Sequence, residues 1–350
     1  MRAANRTYRT VVLLGAGATR GASTGIGRAK IRPPLNRDFL HVARKFGASA
    51  AGRRHKAAIT RLDRFIDQEM GRRGADLPTM EDIFNVLFMS KDMPEVFFKR
   101  GRKRASGYRV EIKDFIGLVV GLLRYIQANP RHPQGLNHHA RLALSLDPQD
   151  TVISLNYDTL VDNALFVAGW DPKQGYGFDL DAKKLHVSIK PHTNSLEGVR
   201  LLKPHGSLNW FAQGKVERLE EALLHKRKPS VELSNVPRSN LNRGQVRLFI
   251  PPLYVKFFSN PFWQRIWNEA FESLVNAQQL VIIGCSLIET DFHLRSVVAA
   301  AVARRHQKFK RIVLVEPSQA AITRLKRFLR GRGDGIVVYQ TFTTFVRQAL

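Results

Sequence analysis

Four times along the chain a short apolar run stops at a turn and gives way to helix-like apolar spacing. The segments are RTVVLLGAGATRGA at 9–22, DTVISLNYDTLVDNALFVAG at 150–169, QQLVIIGCSLIETDFHLRSVVAAAVARRH at 278–306 and KRIVLVEPSQAAITRLKRFLRG at 310–331. Runs of Val, Ile and Leu without polar alternation are what a strand covered on both faces requires, and strand–turn–helix units in series build a parallel sheet. The fold class expected is therefore α/β, a doubly wound Rossmann-like parallel sheet with a helical insertion. Such sheets bind ligands at the carboxyl ends of their strands, so the turn residues of the four units are the first place to look for chemistry.

The pattern lapses between about residues 45 and 150, where EDIFNVLF and VEIKDFIGLVVGLLRYIQ carry helical spacing between basic loops. The division expected is a dinucleotide-binding domain of residues 1–45 and 150–350, interrupted by a helical insertion subdomain at 46–149. A polar stretch at about 212–245 reads as loop with one short helix at VERLEEALL. No apolar run approaches the roughly 18 residues of a membrane span, and VVLL meets Gly15 too early for a signal-peptide core, so a cytoplasmic protein without membrane contact is expected. Cys285 is the single cysteine, which rules out an intrachain disulfide and a four-cysteine zinc module within this chain.

Charge is the strongest compositional bias: 56 Lys+Arg against 29 Asp+Glu, a net of +27. Much of it is clustered, in KRGRKR at 99–104, HKRK at 225–228, RRHQKFKR at 304–311 and RLKRFLRGR at 324–332. Such clusters either neutralise phosphates of a nucleic acid or form a solvated basic face; no zinc finger, helix-turn-helix or aromatic RNA-binding signature accompanies them.

Gly15, Gly17 and Gly21 follow the first run and would let a backbone approach a pyrophosphate at a helix start, or would serve a tight turn alone. The dehydrogenase fingerprint is not met, because Arg20 stands where the third glycine belongs and no acidic residue ends a second strand about 20 residues on. Asn156 and Asp158 follow the second run. Asp158 suits a helix cap, whereas an amide such as Asn156 at a strand end offers a donor and an acceptor to a ligand. In LLKPHGSLNW a strand is expected to end at His205-Gly206 and turn at once into 207–210. That leaves His205 either a buried structural histidine or an imidazole able to accept a proton near neutrality. Gly284, Cys285 and Ser286 follow the third run, and Glu316 follows the fourth, where a carboxylate suits ribose hydroxyls or a helix dipole. Cys285 reads as a small structural residue, and the remaining histidines show no metal-ligand spacing.

The order GAGAT, LNYD, KPHGSLNW, VIIGCSLIETD, with PPLNRDF at 33–39, resembles the sirtuin-like family, and specifically its prokaryotic NAD-consuming branch. The resemblance spans residues 11–40 and about 150–320. It implies NAD as substrate and no metal. It places Gly15, Ala16, Gly17 and Thr19 along the dinucleotide, Asn156 at the nicotinamide ribose and attacking water, Asp158 at the nicotinamide carboxamide and His205 at the ribose hydroxyls or as base. Gly284, Ser286 and Glu316 would hold the adenosine half. Lacking the four cysteines of the protein-deacylating sirtuins, the chain is expected to use water as acceptor, which makes it an NAD glycohydrolase.

By the same resemblance the setting is bacterial anti-phage defence, with NAD depletion under control of a trigger. The trigger would be an activating partner such as an ATPase or an Argonaute-like protein, assembly into a homo-oligomer, or nucleic acid bound at the basic clusters. The alternatives are a non-catalytic NAD- or ADP-ribose-sensing, nucleic-acid-binding module, and an NAD-dependent protein deacylase or ADP-ribosyltransferase.

Overall fold

A computed structural model of the chain describes residues 9–23, 30–72, 76–92, 108–128, 133–191, 196, 198–214, 228–239, 241–250, 260–287 and 291–350. In chain order its strands are β1 (Thr10–Leu14), β2 (Thr151–Ser154), β3 (Leu185–Val187), β4 (Arg200–Leu202), β5 (Gly206–Gln213), β6 (Ser230–Leu233), β7 (Gln245–Phe249), β8 (Gln279–Ile283), β9 (Arg311–Val315) and β10 (Ile336–Tyr339). Its helices are α1 (Ala16–Gly21), α2 (Phe39–Ala48), α3 (Lys56–Glu69), α4 (Met80–Asp92), α5 (Arg109–Gln127), α6 (Pro133–Leu144), α7 (Leu160–Val167), α8 (Pro172–Gly175), α9 (Pro261–Asn276), α10 (Phe292–Arg304), α11 (Gln319–Phe328) and α12 (Phe342–Ala349).

The four apolar runs are strands of one sheet, in the order β10-β9-β8-β1-β2-β4, and every pairing in it is parallel. All five residues of β1 and all four of β2 are buried, as expected for strands covered on both faces. From β1 the next strand of the sheet in sequence, β2, lies on one side; from β8 the next, β9, lies on the other. The carboxyl ends of β1 and β8 thus flank the topological switch point, where a doubly wound sheet opens a crevice.

Between β1 and β2 the described residues contain helices and no strand, and α2 already begins at Phe39. On α5 the buried residues Ile112, Phe115, Ile116, Val119, Leu122 and Ile126 recur at three- and four-residue spacing, so one stripe faces inward. That stripe and the sheet share one hydrophobic core, from Val12 and Leu13 to Phe84, Phe115 and Leu122.

The second sheet was not anticipated. Its order is β3-β6-β5-β7, with β5 antiparallel to both β6 and β7. Residues 207–210 are therefore strand, not turn, and β4 stops at Leu202, before the histidine. The interval read as loop likewise holds β6 and runs into β7, while VERLEEALL falls outside the described residues. KRGRKR at 99–104 and residues 225–227 also lie outside them.

At the switch point two turns touch backbone to backbone. Gly15 N–H donates to the Ile283 carbonyl at 3.0 Å, and Gly17 N–H to the Gly284 carbonyl at 2.9 Å. A Cβ on Gly15 would lie 2.4 Å from the Gly284 oxygen, and one on Gly284, whose φ is +56°, would lie 2.2 Å from the Ala18 nitrogen. The glycines are needed because the turns after β1 and β8 occupy each other's side-chain space. Gly284→Ala is expected to lower unfolding free energy by about 2–5 kcal/mol, from left-handed backbone strain and overpacking together. Gly117→Ala is the contrast. A Cβ at this position in α5 meets nothing within 4 Å, and the change should stabilise by about 0.5–1 kcal/mol. Chemical denaturation of the two variants checks both signs.

Candidate active site at the switch point of the sheet

Asn156 and Asp158 leave the end of β2 beside α1 and are almost wholly buried. The Asn156 side-chain amide donates to the Gly15 carbonyl and to Thr19 Oγ1, each at 3.0 Å. Thr19 in turn donates its hydroxyl to Asp158 Oδ2 at 2.7 Å, and the other oxygen, Oδ1, accepts from Leu160 N–H at 3.2 Å. Because the Gly15 carbonyl can only accept, the amide orientation is fixed: Nδ2 faces α1 and Oδ1 faces away. Asn156 Oδ1 makes no hydrogen bond among the described residues. The helix-start role foreseen for Asp158 is thus present, joined to a second role of fastening Thr19.

His205 lies on the Lys203–Gly206 turn joining the first sheet to the second. The turn is closed by Gly206 N–H donating to the Lys203 carbonyl at 2.8 Å. Gly206 has φ +81°, and a Cβ there would lie 2.2 Å from the Leu248 carbonyl oxygen, so the close approach of β7 dictates the glycine. The His205 carbonyl accepts from Ile250 N–H at 2.8 Å, which pins the turn to the end of β7. The imidazole is buried, with Nε2 3.8 Å from Asp291 Oδ2 and its ring 6.0 Å from that of Trp267. Asp291 also caps α10, accepting from Leu294 N–H at 3.3 Å.

Two residues before the histidine stands Lys203, which the sequence reading passed over. Its side chain is fully buried, and Nζ donates to Asp162 Oδ2 at 2.8 Å and to the Asp158 carbonyl at 2.6 Å. The other Asp162 oxygen accepts from Tyr176 Oη at 2.6 Å, and Tyr176 Oη accepts from Asn209 of β5 at 3.2 Å. One buried ion pair therefore connects the end of β4, the Asp158 turn, α7 and the second sheet. The signal was available: a lysine amid LLKPHG and an aspartate within the apolar helix LVDNALFV. Arg20 stands where the dehydrogenase fingerprint has its third glycine. It forms an ion pair with Asp38 and donates to the Pro33 carbonyl at 3.2 Å, docking PPLNRDF onto α1.

Beyond β8, Gly284 N–H donates to the Val315 carbonyl at 2.9 Å, which aligns the ends of β8 and β9. Glu316 follows directly. One of its oxygens accepts from Ser318 N–H at 3.0 Å, and the second makes no hydrogen bond among the described residues. Burial raises its carboxyl above the ordinary range, opposed by that hydrogen bond and by the charges of Arg324 and Arg37. Ser286 is half-buried and uses its carbonyl to accept from Arg324 Nε at 3.0 Å. Burial pushes the Cys285 thiol up to about 12, so it is protonated and inert at neutral pH. Gly15, Gly17, Thr19, Asn156, Asp158 and Gly284 thus form one connected cluster, with Ala16 exposed at its rim. Among the described residues no hydrogen bond joins the side chains of Glu316 and Ser286 to that cluster. Gly21, at the end of α1, sits 3.7 Å from Phe342 at its Cβ position and takes no part in the cluster.

A model of the SIR2-like domain matches residues 150–333, just over half of the chain. The chain belongs to the SIR2-like family. No curated protein matches it. The matched span contains β2, the His205 turn, the whole second sheet, β8 and β9. The glycine turn after β1 lies outside the span but is held between β2 and β8, against Gly284 and Asn156.

A SIR2-like domain implies NAD binding and NAD-related activity in general. The residues present fit that ligand: two acceptors without a hydrogen bond among the described residues, Asn156 Oδ1 and a Glu316 oxygen, suit the ribose hydroxyl and carboxamide N–H donors of a dinucleotide. Among the described residues no group of three or more His, Cys, Asp or Glu is placed to hold a metal ion, and no helix is long and apolar enough to cross a membrane.

Removing one member of a buried pair strands the other, so Lys203→Met should cost about 3–5 kcal/mol. The double variant Lys203→Met with Asp162→Asn should cost less than the sum of the singles. Denaturant unfolding of the four proteins in the cycle measures the coupling.

Proposed function

We propose that the chain is an NAD glycohydrolase, cleaving NAD to nicotinamide and ADP-ribose. The observation that carries this reading is the fixed Asn156 amide, whose oxygen has no hydrogen-bond partner among the described residues while an imidazole stands on the neighbouring sheet junction. Nicotinamide in NAD is already cationic, so it departs without a strong general acid, and the site has only to stabilise an oxocarbenium-like ribose and place a nucleophile. Asn156 Oδ1 orients water. His205 accepts the proton that water loses as its oxygen bonds the ribose C1 and the carbon–nitrogen bond breaks, the bonding pair leaving with nicotinamide. Asp158 acts as a positioning residue, holding Thr19 and through it the Asn156 amide, with lone pairs still available to a carboxamide. Glu316 and Ser286 bind hydroxyls of the adenosine half, along the wall formed by Gly15, Ala16, Gly17 and Gly284.

Water is the proposed acceptor because the chain, with one cysteine, cannot build the four-cysteine zinc module of the deacylating sirtuins. The setting we propose is NAD depletion in bacterial anti-phage defence. The activity is held silent until a partner chain of the ATPase or Argonaute-like kind, or assembly of copies of the chain, releases it.

The test is nicotinamide release from NAD, by chromatography of purified protein and of cells after induced expression, for wild type, Asn156→Ala and His205→Ala. Each substitution should cut release about a hundredfold or more. Because the activity is silent at rest, the cells are assayed before and after phage infection; NAD that is bound but never cleaved even in infected cells would instead make the chain a sensing module.

A further inference from the structure

Two of the basic clusters, separate in sequence, meet in the fold. RRHQKFKR at 304–311 leads into β9, and the end of RLKRFLRGR at 324–332 leads towards β10. The two segments are joined by backbone: Phe309 N–H donates to the Arg332 carbonyl at 2.8 Å, Asp334 N–H to the Phe309 carbonyl at 3.0 Å, and Phe309 and Gly333 form a parallel bridge. Arg305 is spent on building this corner. Its guanidinium lies 3.7 Å over the Phe309 ring and donates to the Leu274 and Val275 carbonyls, both at 2.7 Å, at the end of α9.

What the corner displays is cationic. Lys308, Lys310, Arg311, Arg327, Arg330 and Arg332 are exposed around it, with Asp334 as an acidic neighbour. Lys308, Arg311, Arg327 and Arg330 are in no ion pair among the described residues. The patch surrounds the amino-terminal ends of β9 and β10, whereas Asn156, Gly284 and Glu316 follow the carboxyl ends of their strands. It therefore lies at the edge of the sheet opposite the candidate active site.

We infer that this corner is a nucleic-acid-binding surface, contacting the phosphate backbone without reading sequence. Arginine dominates it, and the planar guanidinium matches phosphate oxygens in pairs. No large hydrophobic side chain of the segments 304–311 and 324–335 is exposed. The two segments themselves therefore offer neither the apolar anchor of a protein interface nor the apolar face of a membrane-surface helix. Backbone neutralisation is the contact such a surface can make, and it releases counterions for every phosphate met. The inference is independent of NAD chemistry.

The experiment is fluorescence anisotropy of labelled 20-base-pair DNA and of RNA of the same sequence, without NAD, across a salt series. The proteins are wild type, the quadruple variant Lys308→Gln, Arg311→Gln, Arg327→Gln, Arg330→Gln, and Arg102→Gln with Lys103→Gln in the basic run at 99–104. Circular dichroism melting confirms that each variant folds. The quadruple variant should bind at least about tenfold more weakly at 0.1 M salt. Its log–log salt slope should be shallower by about 0.9 for each cation that had met a phosphate, so by up to about 3.6. Three results would overturn the assignment: no binding of either nucleic acid by the wild type, loss confined to the 102/103 variant, or polyglutamate of matched charge binding the corner as tightly as DNA and RNA.

Discussion

The buried cation of Lys203 ties the first sheet to the second. Lys203 has no exposed side-chain surface, and a charge in that position is tolerated only because Asp162 and the Asp158 carbonyl meet it directly. Through Asp162 and Tyr176 the same pair reaches Asn209 of β5. The consequence for chemistry is positional. Asp158 sits at one contact of Lys203 and His205 two residues along the chain from it, so the residues attributed to the site are clamped to one another before any ligand arrives. Specific geometry, rather than net stability, is what such a pair contributes.

The glycines show a packing reason for a residue type that a ligand could also require. A glycine-rich turn after a buried strand suggests a backbone making room for a phosphate. Here the missing side chains of Gly15 and Gly17 make room for Gly284, the glycine at the end of the neighbouring strand. Nothing local in GAGAT announces a partner so far along the chain. The parallel strands, by contrast, were legible because burial on both faces leaves an unbroken apolar run. The turn residues after them were legible because a strand's carboxyl end is fixed by where that run stops. The second sheet escaped notice for the complementary reason. β5 is buried along most of its length yet carries Ser207 and Asn209, and Arg247 of β7 is buried over Phe211, so neither strand shows a clean run or a clean alternation. The His205–Gly206 turn was then placed one element too early, since the positive φ of Gly206 marks entry into β5 rather than the end of β4.

The two ends of the parallel sheet also differ in charge. Asp158, Asp291 and Glu316 gather beyond the carboxyl ends, held by hydroxyl and backbone N–H donors. The lysines and arginines before β9 and β10 gather at the amino ends. For a chain of net charge +27 the first arrangement is the exception, and it sets carboxylates against the nearby Lys203, Arg37 and Arg324. The second leaves the excess charge where a polyanion can reach it without entering the crevice.

The central claim is that NAD occupies the crevice between the ends of β1 and β8. Hydrogen exchange with mass spectrometry, with and without a carbocyclic NAD analogue that cannot be hydrolysed, tests it without relying on turnover. The account predicts slowed exchange in the turns at residues 15–21, 155–160, 203–207 and 284–287, with no change at 304–311. Protection confined to other segments, or none at saturating analogue, would contradict it.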